Sequence, residues 1–365
     1  MNEKESQILA LINENPFISQ NDLSDRLGLS RSAIAGYISS LTKQGKLLGR
    51  AYVLPQTKDV LCVGGANIDR KIQVLETMQY GTSNPAQSSQ SAGGVARNIA
   101  ENLGRLGCKT GLLTVVGDDK EGAWLLDHTK AYSDITATQT FNHAATGSYT
   151  AVLDQKGSMA VAFADMSICN SVDWAFIDKK WGHFKSARMI VVDTNFRPDV
   201  LEKIIRRCEE ENIPICISPV SSPKVKNLPE DLNGVTWLIA NQGEAEALTG
   251  TEINSEGEFY KAAEMILKKG VKKVVITRGD KGLIYFTESN EAGALLPPEV
   301  NVLDVTGAGD SLVAGIIYGE LKGLNTDDAC KIGMTCSMLT LQSGETVNPE
   351  LDHKQLLEAY KKYFR

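Results

Sequence analysis

Asn301-Val302-Leu303-Asp304-Val305-Thr306-Gly307-Ala308-Gly309-Asp310-Ser311, running into the apolar segment Leu312 to Tyr318, is the stretch that decides the fold. It reads as an extended run carrying a carboxylate, a Gly-Ala-Gly turn, and a second carboxylate on the first turn of a helix that begins near Asp310. Glycines permit positive φ and a close approach of ligand to backbone, and a helix start directs free N–H groups and a positive dipole end outward. A phosphate fits such a pocket, and Asp310 beside it would accept a proton from an attacking hydroxyl. On spacing alone, Gly-Ala-Gly-Asp is more often a helix cap than an anion site.

Through Asp304, Thr306, Gly307, Ala308, Gly309 and Asp310 the chain resembles the ribokinase-like (PfkB) family of carbohydrate and nucleoside kinases, whose signature is D-x-T-G-A-G-D. A second family signature is resembled at Gly93-Gly94-Val95-Ala96-Arg97-Asn98-Ile99-Ala100, followed by Asn102-Leu103-Gly104-Arg105-Leu106-Gly107. Two signatures in order, about two hundred residues apart, are more specific than either alone. The resemblance spans roughly residues 59 to 350. It implies a doubly wound, mostly parallel α/β sheet with a small β lid, and ATP-dependent phosphorylation of an alcohol. Asp310 would be the base, with the amides of Gly307, Ala308 and Gly309 stabilising the transferring group. No G-x-x-x-x-G-K-[ST] occurs, which excludes P-loop machinery.

Composition bounds the rest. A chain of 365 residues, 42% apolar and 23% charged, has room for two units and a sizeable core. No apolar run reaches membrane-span length, and Met1 to Glu14 is polar and acidic, so a cytoplasmic protein without a membrane partner is expected. Seven scattered cysteines with no C-x-x-C pair speak against a disulfide framework or a zinc site. A net charge of −7 argues against nucleic-acid binding by the chain as a whole.

The N-terminal segment departs from that balance. Residues 1–28 carry two basic and five acidic side chains, whereas Leu29 to Arg50 carry Arg31, Lys43, Lys46 and Arg50 and no carboxylate. Apolar spacing predicts helices over 3–14, Asn21 to Leu27 and Arg31 to Gln44, with Ser19 and Ser30 as caps, then a hairpin over Leu47 to Leu54. The pattern resembles a winged helix-turn-helix over residues 1–57. DNA is then the implied partner, met by Ser30, Arg31, Ser32, Tyr37, Lys43 and Arg50. An appendage used for dimerisation has the same pattern.

From residue 58 to 365 the chain reads as the second unit. Val60 to Gly65 is a buried strand, with Asn67 and Asp69 on the loop at its carboxyl end, where open α/β sheets bind ligands. A carboxylate suits vicinal hydroxyls, and the resemblance implies substrate binding by Asn67, Asp69, Gly93, Gly94, Asn98 and Asp165, together with Asp310. Segments 71–91 and 146–165 would form the lid, which excludes water and, by resemblance, pairs between two subunits. From Arg188 onward strands and helices alternate, as a doubly wound parallel sheet requires.

The remaining ligand residues follow from the resemblance. ATP is implied at Asn241, Thr277, Gly279, Gly282, Thr306, Gly307, Gly309 and Asn348. Mg²⁺ is implied at Asn241 and Glu244 through water, and a monovalent cation, K⁺, at Asp304 and Thr306. Glu244 is equally a carboxylate on a first helical turn. Ser218 stands where many relatives carry a carboxylate. Tyr80-Gly81-Thr82-Ser83-Asn84-Pro85, Asp165-Met166-Ser167-Ile168 and Asp193-Thr194-Asn195 resemble the pseudouridine kinases within the family, which implies phosphorylation of a ribosyl 5′-hydroxyl. Two alternatives stand beside it: another sugar or nucleoside kinase on the same machinery, and a transcription regulator with a kinase-like sugar sensor.

Overall fold

Alternate residues of the central strands are apolar on both sides, so the sheet they form must be covered on both faces. The computed structural model describes residues 2–48 and 57–364. The chain begins with helices α1 (Glu3–Glu14), α2 (Gln20–Leu27) and α3 (Arg31–Lys43). It continues through β1 (Lys58–Val63), β2 (Asn67–Val74), β3 (Ala86–Gly93), α4 (Val95–Arg105), β4 (Thr110–Leu113), β5 (Val115–Gly117) and α5 (Lys120–Thr129). Then come β6 (Gln139–Phe141), β7 (Ser148–Leu153), β8 (Met159–Asp165), α6 (Trp174–Lys185), β9 (Ala187–Asp193), α7 (Pro198–Glu210), β10 (Ile215–Ser218) and α8 (Ser222–Val225). The last third comprises β11 (Val235–Asn241), α9 (Gln242–Thr249), α10 (Glu256–Leu267), β12 (Lys273–Thr277), β13 (Leu283–Thr287), β14 (Ala292–Leu295), α11 (Ala308–Leu321), α12 (Thr326–Leu341) and α13 (His353–Phe364).

Eight strands form one sheet in the order β14-β13-β12-β11-β10-β9-β1-β4, parallel from β4 to β12 and antiparallel at β13 and β14. Leu61, Val63, Ile190, Val192, Ile215 and Ile217 face one layer with α6, α7 and α10. Val60, Cys62, Met189, Val191 and Cys216, one residue out of phase, face the other with α4, α11 and α12. Period two thus serves both cores at once. On the second face α11 and α12 approach closely because Gly315 lies against Gly333. Among the described residues no helix is long and apolar enough to cross a membrane.

A second sheet, β3-β2-β7-β8, rises from the carboxyl end of β1 as the lid. Asn67 and Asp69 therefore stand in the first residues of a strand, paired with Gly93 and Ser91, and not on a loop as their neighbouring glycines had implied. The run Asn301 to Val305 differs in the other direction: it forms no strand and leads to α11 as irregular chain.

The N-terminal helices enclose their own core of Ile8, Ile12, Ile18, Leu23, Ile34, Leu41 and Leu47. Capping boxes close α1 (Asn2 with Glu5) and α2 (Ser19 with Asp22), and Ser30 caps α3. Glu5 also accepts from Ser40 and Gln44, each at 3.1 Å, tying α1 to α3. Most of the expected hairpin over Leu47 to Leu54, Arg50 included, lies outside the described residues. Buried Gly45 seats this unit on α6, where a Cβ would fall 3.1 Å from Gly182 Cα. Leu48 packs on the same glycine.

Candidate active site

The site lies where the parallel strands end. β1 ends at Val63 and runs into Gly64-Gly65, β9 ends at Asp193, β10 at Ser218, β11 at Asn241 and β12 at Thr277, with Ser218 paired to Asp193 and Asn241 to Thr277 across the sheet. Asp193 is wholly buried and organises this edge: it accepts from Gly65 N at 2.7 Å, Asn195 N at 2.8 Å and Ala96 N at 3.2 Å. Burial pushes its carboxyl up, and those N–H groups oppose the rise. The chain can pass so close to it only because residue 64 is glycine, at φ 146°.

α11 begins at Ala308 behind Gly307, whose φ of 79° is left-handed and whose missing Cβ leaves room for the Thr346 carbonyl. Gly309 is different: a Cβ there would meet nothing within 4 Å, so the protein itself does not call for glycine. Open space above exposed amides on a first helical turn is the room an anion needs. Asp310, the third residue of α11, accepts from Asn98 Nδ2 at 2.7 Å. Its edge opens to the cleft, but protein surrounds it otherwise. Burial, with Asp193 and Asp69 nearby, pushes its carboxyl up to about 7 against the lowering effect of Asn98 and Arg97.

Across the cleft, Asp69 accepts from Asn67 Nδ2 at 2.6 Å, and Gly93 leaves it room on β3. Burial raises the Asp69 carboxyl, countered by Asn67, Arg97 and Lys71. Gly94, at φ 101°, packs on Gly65 and Ala66 and starts α4, which carries Asn98 one turn on. Asn67, Asp69, Gly93, Gly94, Asn98 and Asp310 thus converge on one cleft. Asp165 does not join them at hydrogen-bond range; it ends β8 exposed, accepting from Ser167 N at 3.0 Å.

Other expected residues have local partners. Asn241 and Glu244 form the capping box of α9, with both cross bonds at 2.9 Å, and burial pushes Glu244 up to about 7 against the bonds from Asn241. Asp304 accepts from Thr306 N at 2.8 Å and Thr306 Oγ1 at 2.7 Å, and its other oxygen takes the ammonium of Lys71 from the lid. Gly282, at φ 81°, turns the chain against Leu295, whereas Gly279, at φ 62°, faces open space. Asn348 is buried, its Nδ2 donating to Leu339 O and its Oδ1 accepting from Glu350 N, so its amide holds the loop in place. In the N-terminal unit Arg31, Ser32 and Lys43 are exposed on α3, Ser30 is its cap, and Tyr37 is half-buried on the helical core.

Arg97 and Lys71 have no site role on sequence grounds, and Asp193 enters there only within the segment 193–195 that resembles the pseudouridine kinases. Arg97 sits inside the second glycine signature, and its fourfold spacing to Glu101 and on to Arg105 was the visible sign of an ion-pair ladder on α4. Nothing in composition marks it as buried.

Comparison with known proteins gives two family matches. Residues 57–353 match the pfkB family carbohydrate kinase model, and residues 1–47 match a winged helix-turn-helix DNA-binding model. The chain is 29% identical to the uncharacterized sugar kinase YeiI of Escherichia coli strain K12, over 96% of this chain and 97% of that one. It is 33% identical to the pseudouridine kinase of the same strain, over 80% and 93%. A carbohydrate kinase from Agrobacterium tumefaciens superposes with a TM-score of 0.73 at 27% identity, covering 84% of this chain and 98% of its own. The ribokinase of Arabidopsis thaliana complexed with ribose and ATP shares the fold at TM-score 0.75 and 18% identity, covering 84% and 99%.

Proposed function

The chain belongs to the pfkB family of carbohydrate kinases, and on that premise we propose that it transfers the γ-phosphoryl group of ATP to the 5′-hydroxyl of pseudouridine. The observation that carries the chemistry is the Asn98 amide donating to Asp310 on the first turn of α11, beside the open space over Gly309. Asn67, Asp69, Gly93, Gly94 and Asn98 hold the ribose, and Asp310 receives the O5′ proton as O5′ bonds to the γ-phosphorus and the bond to the β,γ-bridging oxygen breaks, leaving ADP. The N–H groups of Gly307, Ala308 and Gly309 take the charge that spreads over the transferring oxygens. Thr277, Gly279 and Thr306 line the nucleotide side.

Mg²⁺, when bound with ATP, neutralises phosphate charge. Asn241 and Glu244 would hold it through water, with one Glu244 oxygen already used in the helix cap. K⁺ at Asp304 and Thr306 would share the carboxylate that Lys71 now contacts.

Similarity to the Escherichia coli pseudouridine kinase supports the choice of substrate, together with the segments 80–85, 165–168 and 193–195. Residues 58–365 act as the kinase, in the cytoplasm where ATP is supplied, and 1–57 as a DNA-binding unit. Val161 and Phe163, exposed on one face of edge strand β8, are the surface through which two lids would pair in a homodimer.

Initial rates with ATP, Mg²⁺ and K⁺ across pseudouridine, uridine, other nucleosides, ribose and fructose test the reading. Preference for pseudouridine supports it, and preference for a free sugar refutes the substrate. A second reading, a transcription regulator that senses the same ligand, draws on the seat of the N-terminal unit at Gly45 and Gly182, since α6 follows the lid strand β8 in the chain. DNA affinity that changes with pseudouridine would favour it.

A further inference from the structure

Arg97 is one of the largest fully buried side chains of the protein, at 1% exposure, and it lies one residue before a proposed substrate residue. A buried guanidinium is costly unless its donors are used. Four of its five N–H groups find acceptors: Nε on Gly93 O at 2.9 Å, Nη2 on Ala92 O at 2.9 Å and on Asn98 Oδ1, and Nη1 on Glu101 Oε2. Glu101 is itself buried and also accepts from Arg105 Nε at 2.9 Å. Burial alone would raise the Glu101 carboxyl, but Arg97 and Arg105 hold it below its ordinary value.

A primary amide has an acceptor end and a donor end of nearly the same shape, and its neighbours decide which way it points. Guanidinium has no acceptor, so it admits only the oxygen of Asn98. The amide nitrogen is then committed to the other side, where it donates to Asp310 at 2.7 Å. Turned over, the amide would set its oxygen against the carboxylate and oppose ionisation. The same guanidinium grips both carbonyls at the end of β3, the strand end against which Asp69 lies.

We propose that Arg97 is a positioning residue for phosphoryl transfer: by taking the oxygen of Asn98 it turns the amide N–H toward Asp310, and by holding Ala92 and Gly93 it fixes the wall beside Asp69. This rests on the reading of Asp310 as the base. The groups facing Asp310 are Arg97 and Asn98 from α4, Asp69 from β2 and Asp193 from β9; of these Arg97 is the cation. Its removal acts on Asp310 twice, through lost charge and through a freed amide.

The test uses the full chain with Arg97→Lys and the charge-neutral double variant Arg97→Met/Glu101→Met, which leaves no unpaired Glu101 in the interior, each checked for folding by thermal melting. Carboxyl ¹³C NMR, with the Asp310 signal assigned by Asp310→Asn, reads the Asp310 titration without any need for turnover. The expected result is an upward displacement of about one pH unit in the double variant, with Arg97→Lys between it and the wild type. With pseudouridine and ATP, kcat falls tenfold or more, the acidic limb of the kcat profile moves up with the titration, and KM for ATP stays within about twofold. A folded double variant with the wild-type Asp310 titration and kcat within twofold overturns the proposal. Should Asp310→Asn itself keep full turnover, the assignment of the base fails instead, and the NMR titration still decides whether Arg97 orients Asn98.

Discussion

Replacing Asp310 with asparagine should remove activity and stabilise the fold at once. Burial holds the folded-state carboxyl near 7, against an ordinary value of 3.8. The folded chain therefore binds the proton more tightly than the unfolded chain. Stability is fullest below pH 4, falls between pH 4 and 7, and stays low above, where the charge must be kept in a low-dielectric site. At 1.36 kcal/mol per pH unit the full cost is about 4 kcal/mol, reduced to roughly 2–4 because the edge of the carboxylate meets the cleft. Asparagine keeps the shape and carries no charge. Asp310→Asn should melt roughly 4–8 °C above the wild type at pH 8, with the gap closing toward pH 4. Turnover should drop by about two to four decades, the range ascribed to a general base. Paired calorimetry and initial-rate measurements at pH 4, 6 and 8 check both. A variant that melts lower at pH 8, or one that keeps near-full turnover, would refute the reasoning.

Gly309→Ala should fold like the wild type, because nothing lies within 4 Å of the added methyl, yet lose more than tenfold in kcat/KM for ATP; Gly307→Ala should instead melt lower, since φ is 79° and the Thr346 carbonyl fills the space. Lys71→Met frees the outer oxygen of Asp304, so rates measured against KCl concentration should rise more steeply than in the wild type; an unchanged KCl dependence would rule out competition at that carboxylate. Arg31→Ala/Lys43→Ala should weaken binding to duplex DNA by tenfold or more and flatten its salt dependence by about two in slope, leaving ATP turnover as it was, with fluorescence anisotropy against KCl as the readout.

Legibility followed how local each feature is. The left-handed turn at Gly307 and the helix start behind it could be read because four consecutive residues make them. The parallel strands could be read because both-sided burial writes continuous apolar runs such as Val60 to Val63. β3 had only the family resemblance to place it in the lid: Gln87-Ser88-Ser89-Gln90 is polar and exposed, with no strand pattern of its own, and it is a strand because β2 supplies hydrogen bonds across the lid. For the same reason Asn67 and Asp69 were placed on a loop, since pairing with β3 is a long-range fact. Asn241 and Glu244 show the converse limit, a short motif whose helix-capping use and whose ion-binding use look identical in sequence. The convergence of Asn98 on Asp310, 212 residues away, needed the second signature to be suspected and the fold to be seen. Arg97 stayed hidden because a buried arginine and an exposed one are written with the same letter.

The most direct test of the central claim is the product itself. The purified chain is incubated with pseudouridine, ATP, Mg²⁺ and K⁺ and the mixture followed by ³¹P NMR. Transfer to O5′ gives ADP and, in equal amount, a phosphomonoester coupled to the two 5′ protons of the ribose, absent when Asp310→Asn replaces the wild type. ATP converted only to ADP and inorganic phosphate, or a phosphate on any other hydroxyl, would contradict it.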